Sequence, residues 1–179
     1  MTRTSTEIFD VAGRGAIVTG ASSGIGERMV RVLAANGMRV IAAARRLERL
    51  EALAAEVDGV MAMRCDVTVE DDLEAVVAAA YEEFGRLDVV INNAGMSDAP
   101  VKAHEETAEQ FSRVIDINLN SCFLLARSAA REMIAHESPG SIINIASVHS
   151  FVSSAPNNQA AYVASKTCLL YTSPSPRDS

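Results

Sequence analysis

The sequence predicts an α/β domain built on one doubly wound parallel sheet. Two observations lead there: short, continuously apolar runs alternate with longer stretches of helical period, and a glycine-rich loop separates the first run from the first helical stretch. Strands apolar on both sides need cover on both faces, and parallel neighbours need helical crossovers of one hand. The expected strand order is 3-2-1-4-5, with a ligand crevice between strands 1 and 4, where the order reverses.

Ala16-Ile17-Val18 is the first strand, and residues 24–36 read as a helix with Ile25, Met29, Val32 and Leu33 on one face and Gly37 as its stop. Residues 39–43 form the second strand and 47–57 the second helix. Residues 60–64 are the third strand, and 70–84 the third helix, opened by Thr68 as its cap. Val89-Val90-Ile91 is the fourth strand, residues 119–136 a long helix ended by Ser138-Pro139-Gly140, and 141–146 the fifth strand. Without a repeat or linker before residue 166, the chain reads as one domain.

Composition narrows the function classes. The 179 residues are 49% hydrophobic and 22% charged, ordinary for a water-soluble globular protein. A net charge of −7 argues against nucleic acid as a partner, which needs a basic face. No run is long enough to span a membrane, and the start lacks a signal peptide's apolar core, so no membrane partner and a cytoplasmic location are expected. Cys65, Cys122 and Cys168 have no metal spacing, and the first two read as core thiols.

The loop Thr19-Gly20-Ala21-Ser22-Ser23-Gly24-Ile25-Gly26 spaces its glycines as G-x-x-x-G-x-G, one residue wider at the start than the G-x-G-x-x-G dinucleotide fingerprint. Placed between a strand and a helix N-terminus, it is suited to a pyrophosphate. The second strand ends Ala43-Ala44-Arg45-Arg46, without the carboxylate that would bond ribose hydroxyls and select NAD. Arginines there suit a 2′-phosphate, so NADP is preferred, NAD stays open, and Arg45 is the better candidate of the two. Asp66, followed by Val67 at the end of the third strand, is placed to accept a hydrogen bond from an adenine amino group.

These segments, with Asn92-Asn93-Ala94-Gly95, Ser147 and Tyr162-Val163-Ala164-Ser165-Lys166, stand in the order seen in short-chain dehydrogenases/reductases, and the chain resembles that family from Arg14 to Lys166. The resemblance implies a Rossmann-like fold and hydride transfer between a nicotinamide cofactor and a carbonyl or secondary alcohol. It implies catalytic roles for Ser147, Tyr162 and Lys166, a proton relay anchored by Asn118, and close backbone approach to the cofactor at Asn93, Ala94 and Gly95.

The chemistry agrees. The alkoxide left by hydride transfer needs an acid, and tyrosine's pKa of about 10 is lowered by a nearby ammonium. Tyr162 and Lys166, four apart, share a helix face. Ser147 at a strand end can polarise the carbonyl. It precedes Tyr162 by fifteen positions, slightly more than the family usually shows, and Ser150 is the alternative. His149 reads as a loop residue shaping substrate access, and His104 and His136 as solvated. The loops over residues 97–100 and 148–159 are the expected substrate walls.

After Lys166 the pattern changes. Cys168 to Asp178 reads as the translation of a transposase-type sequencing adapter, so the domain is expected to occupy residues 1–167 and a non-native tail 168–179. On that reading the sheet is incomplete at its C-terminal edge, the fifth strand becomes an open edge, and the chain as written is poorly folded and inactive. The leading expectation is an NADP(H)-preferring reductase, homodimeric or homotetrameric in full-length form. The alternatives are an NAD-linked sugar or polyol dehydrogenase and a non-catalytic dinucleotide-binding module.

Overall fold

The structure, a computed structural model, describes residues 9–152 and 159–172. Five strands form one parallel sheet: β1 (Gly15–Thr19), β2 (Arg39–Ala44), β3 (Val60–Arg64), β4 (Val89–Asn92) and β5 (Ser141–Asn144). Their spatial order is β3-β2-β1-β4-β5, as the alternation of strands and helices predicts. Register runs unbroken across the centre, with Ile17 beside Ile41 on one side and Val90 on the other.

Helices cover both faces. Against one lie α1 (Gly24–Ala35) and α2 (Leu47–Glu56), whose Val30, Leu50 and Leu53 close a core with Ala16, Val18, Val40, Ala42 and Ile91. Against the other lie α3 (Glu70–Phe84) and α5 (Ser121–Ala135), whose Leu73, Val76, Val77, Leu125 and Ala129 pack on Ile17, Ile41 and Val90. Adjacent residues of β1 thus serve opposite cores, as the two-residue period of a strand requires. A helix α4 (Ala108–Ile115), a π-turn (Asp116–Asn120), a 3-10 turn (Val148–Ser150) and α6 (Ala160–Thr172) complete the described chain.

Several expectations are corrected. The apolar face of α1 is the expected one only in part: Met29 and Leu33 pack against the core, and Ile25, Met29, Val32 and Leu33 share one groove, but Ile25 is 66% exposed and Val32 exposed too, while Gly26 and Val30 are buried. Glycine is required at position 26, because a Cβ there would collide with the Gly20 carbonyl and stand 2.5 Å from Asn93 Nδ2. The backbone of α1 therefore lies directly on the loop it follows. Thr68 does not cap α3; Val69 holds that position, and the Thr68 hydroxyl donates to Asp66 Oδ1 at 2.8 Å.

The long helix begins later than expected, behind the π-turn, and α4 was not anticipated. Its Thr107-to-Gln110 capping box, with both reciprocal bonds present, is the signature that marks it. Strand β5 stops at Asn144 rather than 146. His136 is not merely solvated, since it stacks on Tyr81 with ring centroids 4.2 Å apart. The helix α6 does not end near Lys166 but runs to Thr172, with Leu169 buried.

Candidate active site

A cleft of about 550 Å³ opens at the carboxyl ends of the central strands, where the order reverses between β1 and β4. Gly20, Ser22, Ser23, Ile25 and Gly26 line it from the β1–α1 loop. Arg45 and Arg46 line it from the end of β2, Asp66 and Val67 from β3, and Asn93, Ala94 and Gly95 from β4. Ala44, Cys65, Met96 and Ile117 also line it and were not singled out in the sequence. Gly24 lies instead in a neighbouring apolar groove, with Met29, Ile143 and Ile145.

One end of the cleft is built for an anion. Among the described residues no side chain caps α1, so the backbone N–H groups of its first turn add to the positive end of its dipole. The Arg46 guanidinium donates to Ser22 Oγ at 2.9 and 3.1 Å and to Ser23 Oγ at 2.7 Å. A fork of N–H donors over two hydroxyls fits a phosphate. Both arginines line the cleft, and it is Arg46 that is hydrogen-bonded to the loop.

At the β3 end of the cleft, Asp66 has its Oδ1 occupied by the Thr68 N–H at 3.1 Å and hydroxyl at 2.8 Å. Partial burial opposes it, but these hydrogen bonds and the charges of Arg45 and Arg64 hold the carboxyl below its ordinary value. Cys65 beside it is a buried thiol pushed up to about 12, chiefly by burial and then by Asp72 and Asp66, and so is inert at neutral pH.

The middle of the site hangs on Thr19. Its hydroxyl oxygen accepts from the backbone N–H groups of Asn93 at 3.1 Å and Ala94 at 3.0 Å, and Asn93 Nδ2 donates to Thr19 O at 2.8 Å. These bonds hold the turn after β4 against the end of β1. Asn92, one residue earlier, donates to Asn144 Oδ1 at 2.8 Å and to Cys122 O at 3.3 Å, joining β4 to β5 and to α5.

At the other end stand the residues expected to carry chemistry. Asn118 is fully buried in the π-turn, an insertion often found at functional sites. Its Oδ1 accepts from Met96 N at 2.8 Å, and its Nδ2 donates to Met96 O at 2.9 Å and Ser165 Oγ at 3.1 Å. Ser165, also fully buried, donates in turn to Tyr162 O at 2.8 Å. Asn118 is thus coupled to α6 between Tyr162 and Lys166, through a serine whose role was not read from the sequence.

Lys166 is 4% exposed, and its Nζ donates to Ile145 O at 2.7 Å. Burial pushes its ammonium below the ordinary lysine value, only partly opposed by Cys122. Gly95 stands against both buried groups: a Cβ there would be 3.4 Å from Asn118 Oδ1 and 3.6 Å from Lys166 Nζ.

Ser147 is half-buried past the end of β5, and its oxygen accepts the His149 backbone N–H at 3.2 Å. Because that oxygen accepts, its proton remains available for donation. The His149 ring meets the Tyr162 ring edge-on, with centroids 6.0 Å apart. Ser150 is buried and donates to Lys166 O at 2.8 Å, so its hydroxyl serves the packing of α6. Of the expected substrate walls, Asp98 is held by Arg113 at 2.6 Å, and residues 153–158 lie outside the described residues.

Comparison with known proteins accords with this arrangement. A family model described as short chain dehydrogenase matches residues 14–173. Momilactone A synthase of Oryza sativa subsp. japonica is 41% identical over 93% of this chain and 61% of its own length. Borneol dehydrogenase, mitochondrial, of Lavandula x intermedia is 40% identical over 80% of this chain and 55% of its own. Glucose 1-dehydrogenase 2 of Bacillus subtilis is 34% identical over 78% and 56%. The chain therefore spans little more than half the length of these curated relatives. The crystal structure of a short-chain type dehydrogenase/reductase from Mycobacterium marinum superposes with a TM-score of 0.89 at 31% identity, over 94% of this chain and 68% of that one. The chain belongs to the short-chain dehydrogenase family.

Proposed function

We propose that the protein is an NAD(P)-dependent oxidoreductase acting on a small-molecule carbonyl or secondary alcohol, working chiefly as an NADP(H)-preferring reductase. One observation carries the reading: a single cleft reaches from the Ser22–Ser23–Arg46 donors to Gly95, which packs against Asn118 and Lys166. An anion end, and at the other end Gly95 with the Lys166 ammonium behind it, suit a dinucleotide whose reactive ring lies near the lysine.

When bound, a nicotinamide dinucleotide supplies or takes the hydride. The chain's own residues handle the proton and the charge. Ser147, whose oxygen is already an acceptor for the His149 N–H, donates its hydroxyl proton to the substrate oxygen and polarises it. Tyr162 gives that oxygen its proton in reduction and takes it in oxidation. Lys166 stands one helical turn along α6 from Tyr162, with its Nζ held by Ile145 O. Asn118 keeps the turn after Gly95 and the α6 helix in fixed relation through Met96 and Ser165. Arg46, with Arg45 beside it, selects a 2′-phosphate.

The same reading takes residues 168–179 as a non-native appendage and the protein as a cytoplasmic homodimer or homotetramer. Sequencing the reading frame from source DNA tests the appendage.

Activity is tested by following NADPH and NADH oxidation with a panel of small ketones. NADPH is expected to be the better reductant, Arg46→Asp to reverse the preference, and Tyr162→Phe to cut turnover by about 100-fold or more while nucleotide binding persists. Full turnover in Tyr162→Phe defeats the mechanism. Equal rates with NADH, unmoved by Arg46→Asp, point to the NAD-linked polyol dehydrogenase instead.

A further inference from the structure

The sequence reads His149 as a loop residue shaping substrate access, and its contacts say more. The segment Ser147 to Ser150 folds as one 3-10 turn, so the His149 backbone N–H is bound to Ser147 Oγ at 3.2 Å while its ring abuts Tyr162 at 6.0 Å between centroids. One residue therefore bridges the two groups that flank the reacting oxygen. Its Nδ1 lies 3.3 Å from Val152 O. A carbonyl can only accept, so in the neutral imidazole the Nδ1 carries the hydrogen and Nε2 is left as a lone-pair acceptor. Among the described residues Nε2 has no hydrogen-bond partner.

An acceptor on the wall between a serine and a tyrosine has a defined complement. The carbonyl oxygen cannot satisfy it, because that oxygen is itself an acceptor. A hydroxyl on the neighbouring carbon can, since its oxygen sits two bonds from the reacting carbon and brings the donor that Nε2 lacks. The other side chains at this mouth, Val148, Phe151 and Val152, are exposed and apolar and offer such a hydroxyl no side-chain acceptor.

We propose that His149 is a specificity-determining residue that selects substrates carrying a hydroxyl next to the reacting carbon, that is, α-hydroxy ketones and the vicinal diols they form. This rests on the oxidoreductase reading of the site, and the closing experiment separates the two.

The test uses the full chain with NADPH and two ketones that differ by one hydroxyl, hydroxyacetone and acetone. The wild type is expected to favour hydroxyacetone in kcat/KM, mainly through KM. His149→Leu is expected to lower the hydroxyacetone-to-acetone ratio on the order of tenfold, and His149→Gln, which keeps an acceptor, to restore most of it. An unchanged ratio in His149→Leu overturns the proposal. A binding measurement needs no turnover: 1,2-propanediol, titrated in the presence of NADP, should shift the His149 Nε2 nitrogen resonance, and 2-propanol should not. A diol-specific shift without any ketone reduction upholds the contact and defeats the oxidoreductase reading. Ketone reduction without a diol-specific shift does the reverse.

Discussion

Strands β1 and β5 are both parallel neighbours of β4, yet they live in different surroundings. Every residue of β1 is buried, with α1 and α2 on one face and α3 and α5 on the other. In β5, Ile142 is 37% and Ile143 43% exposed, although their backbones pair with β4 as regularly. The difference teaches that hydrogen-bonded register and burial are separate sources of order. The ladder places β5, but helices on both faces make β1 a core strand. The phosphate loop grows from the strand that is covered, and Ser147 follows the strand that is not.

Large-to-small substitution is the strongest way to break or sharpen that contrast. Ile17→Ala, at a fully buried position, should cost about 2–5 kcal/mol in urea unfolding, and Ile143→Ala well under half of that. Equal losses would mean that β5 is as tightly enclosed as β1.

Gly26→Ala probes the loop directly. The added methyl meets the Gly20 carbonyl and Asn93 Nδ2, so a loss of about 1–3 kcal/mol is expected together with weakened NADPH binding, read by nucleotide fluorescence. Binding at wild-type strength would show that α1 can draw back without cost to the cleft.

Titration separates the two regions by pH. At the base of β4, Asp88 accepts from Gly15 N at 2.8 Å and from Arg86 at 2.6 and 2.7 Å. Burial opposes ionisation there, but these donors hold its carboxyl below the ordinary value. Its stabilisation is therefore present above the unfolded-state value near 3.9 and is lost as pH falls through the folded value. Lys166 behaves in the opposite sense. Burial lowers its folded value, so the unfolded chain binds the extra proton and stability rises with pH up to about 10.4. Urea midpoints should fall below pH 4, less so in Asp88→Asn. They should rise as pH climbs towards about 10.4, and Lys166→Met should abolish that rise.

The smallest effect expected is chemical. Iodoacetamide under native conditions should label the exposed Cys168 and leave Cys65 and Cys122 untouched, because burial raises both thiols and hides them. Labelling of Cys122 would show that the covering of the β5 and α6 side opens in solution.

Much of this was legible in the chain. Alternating apolar runs and helical periods specify a parallel sheet, and the glycine loop after its first strand marks the dinucleotide-binding type, whose usual order is the β3-β2-β1-β4-β5 observed. The phosphate loop was readable because glycine at fixed spacing carries a backbone requirement that other residues cannot meet. So were Thr19 to Gly26 and Asn93 to Gly95 as neighbours, since both follow strands that the order places side by side.

Other features were not. Helical periodicity reports which residues are apolar, not how closely a backbone approaches its neighbour, and α1 lies against the β1 loop where Gly26 has no side chain. The choice between Arg45 and Arg46 depended on rotamers, and so did the Asn118–Ser165 bond across 47 positions. The chain by itself determined the strand order, the phosphate loop and the spacing of Tyr162 and Lys166, because each is a local or topological property. Only the tertiary structure decided that Arg46 grips the loop, that Lys166 is buried and that His149 joins Ser147 to Tyr162. Those contacts link side chains whose distance is set by packing rather than by spacing along the chain.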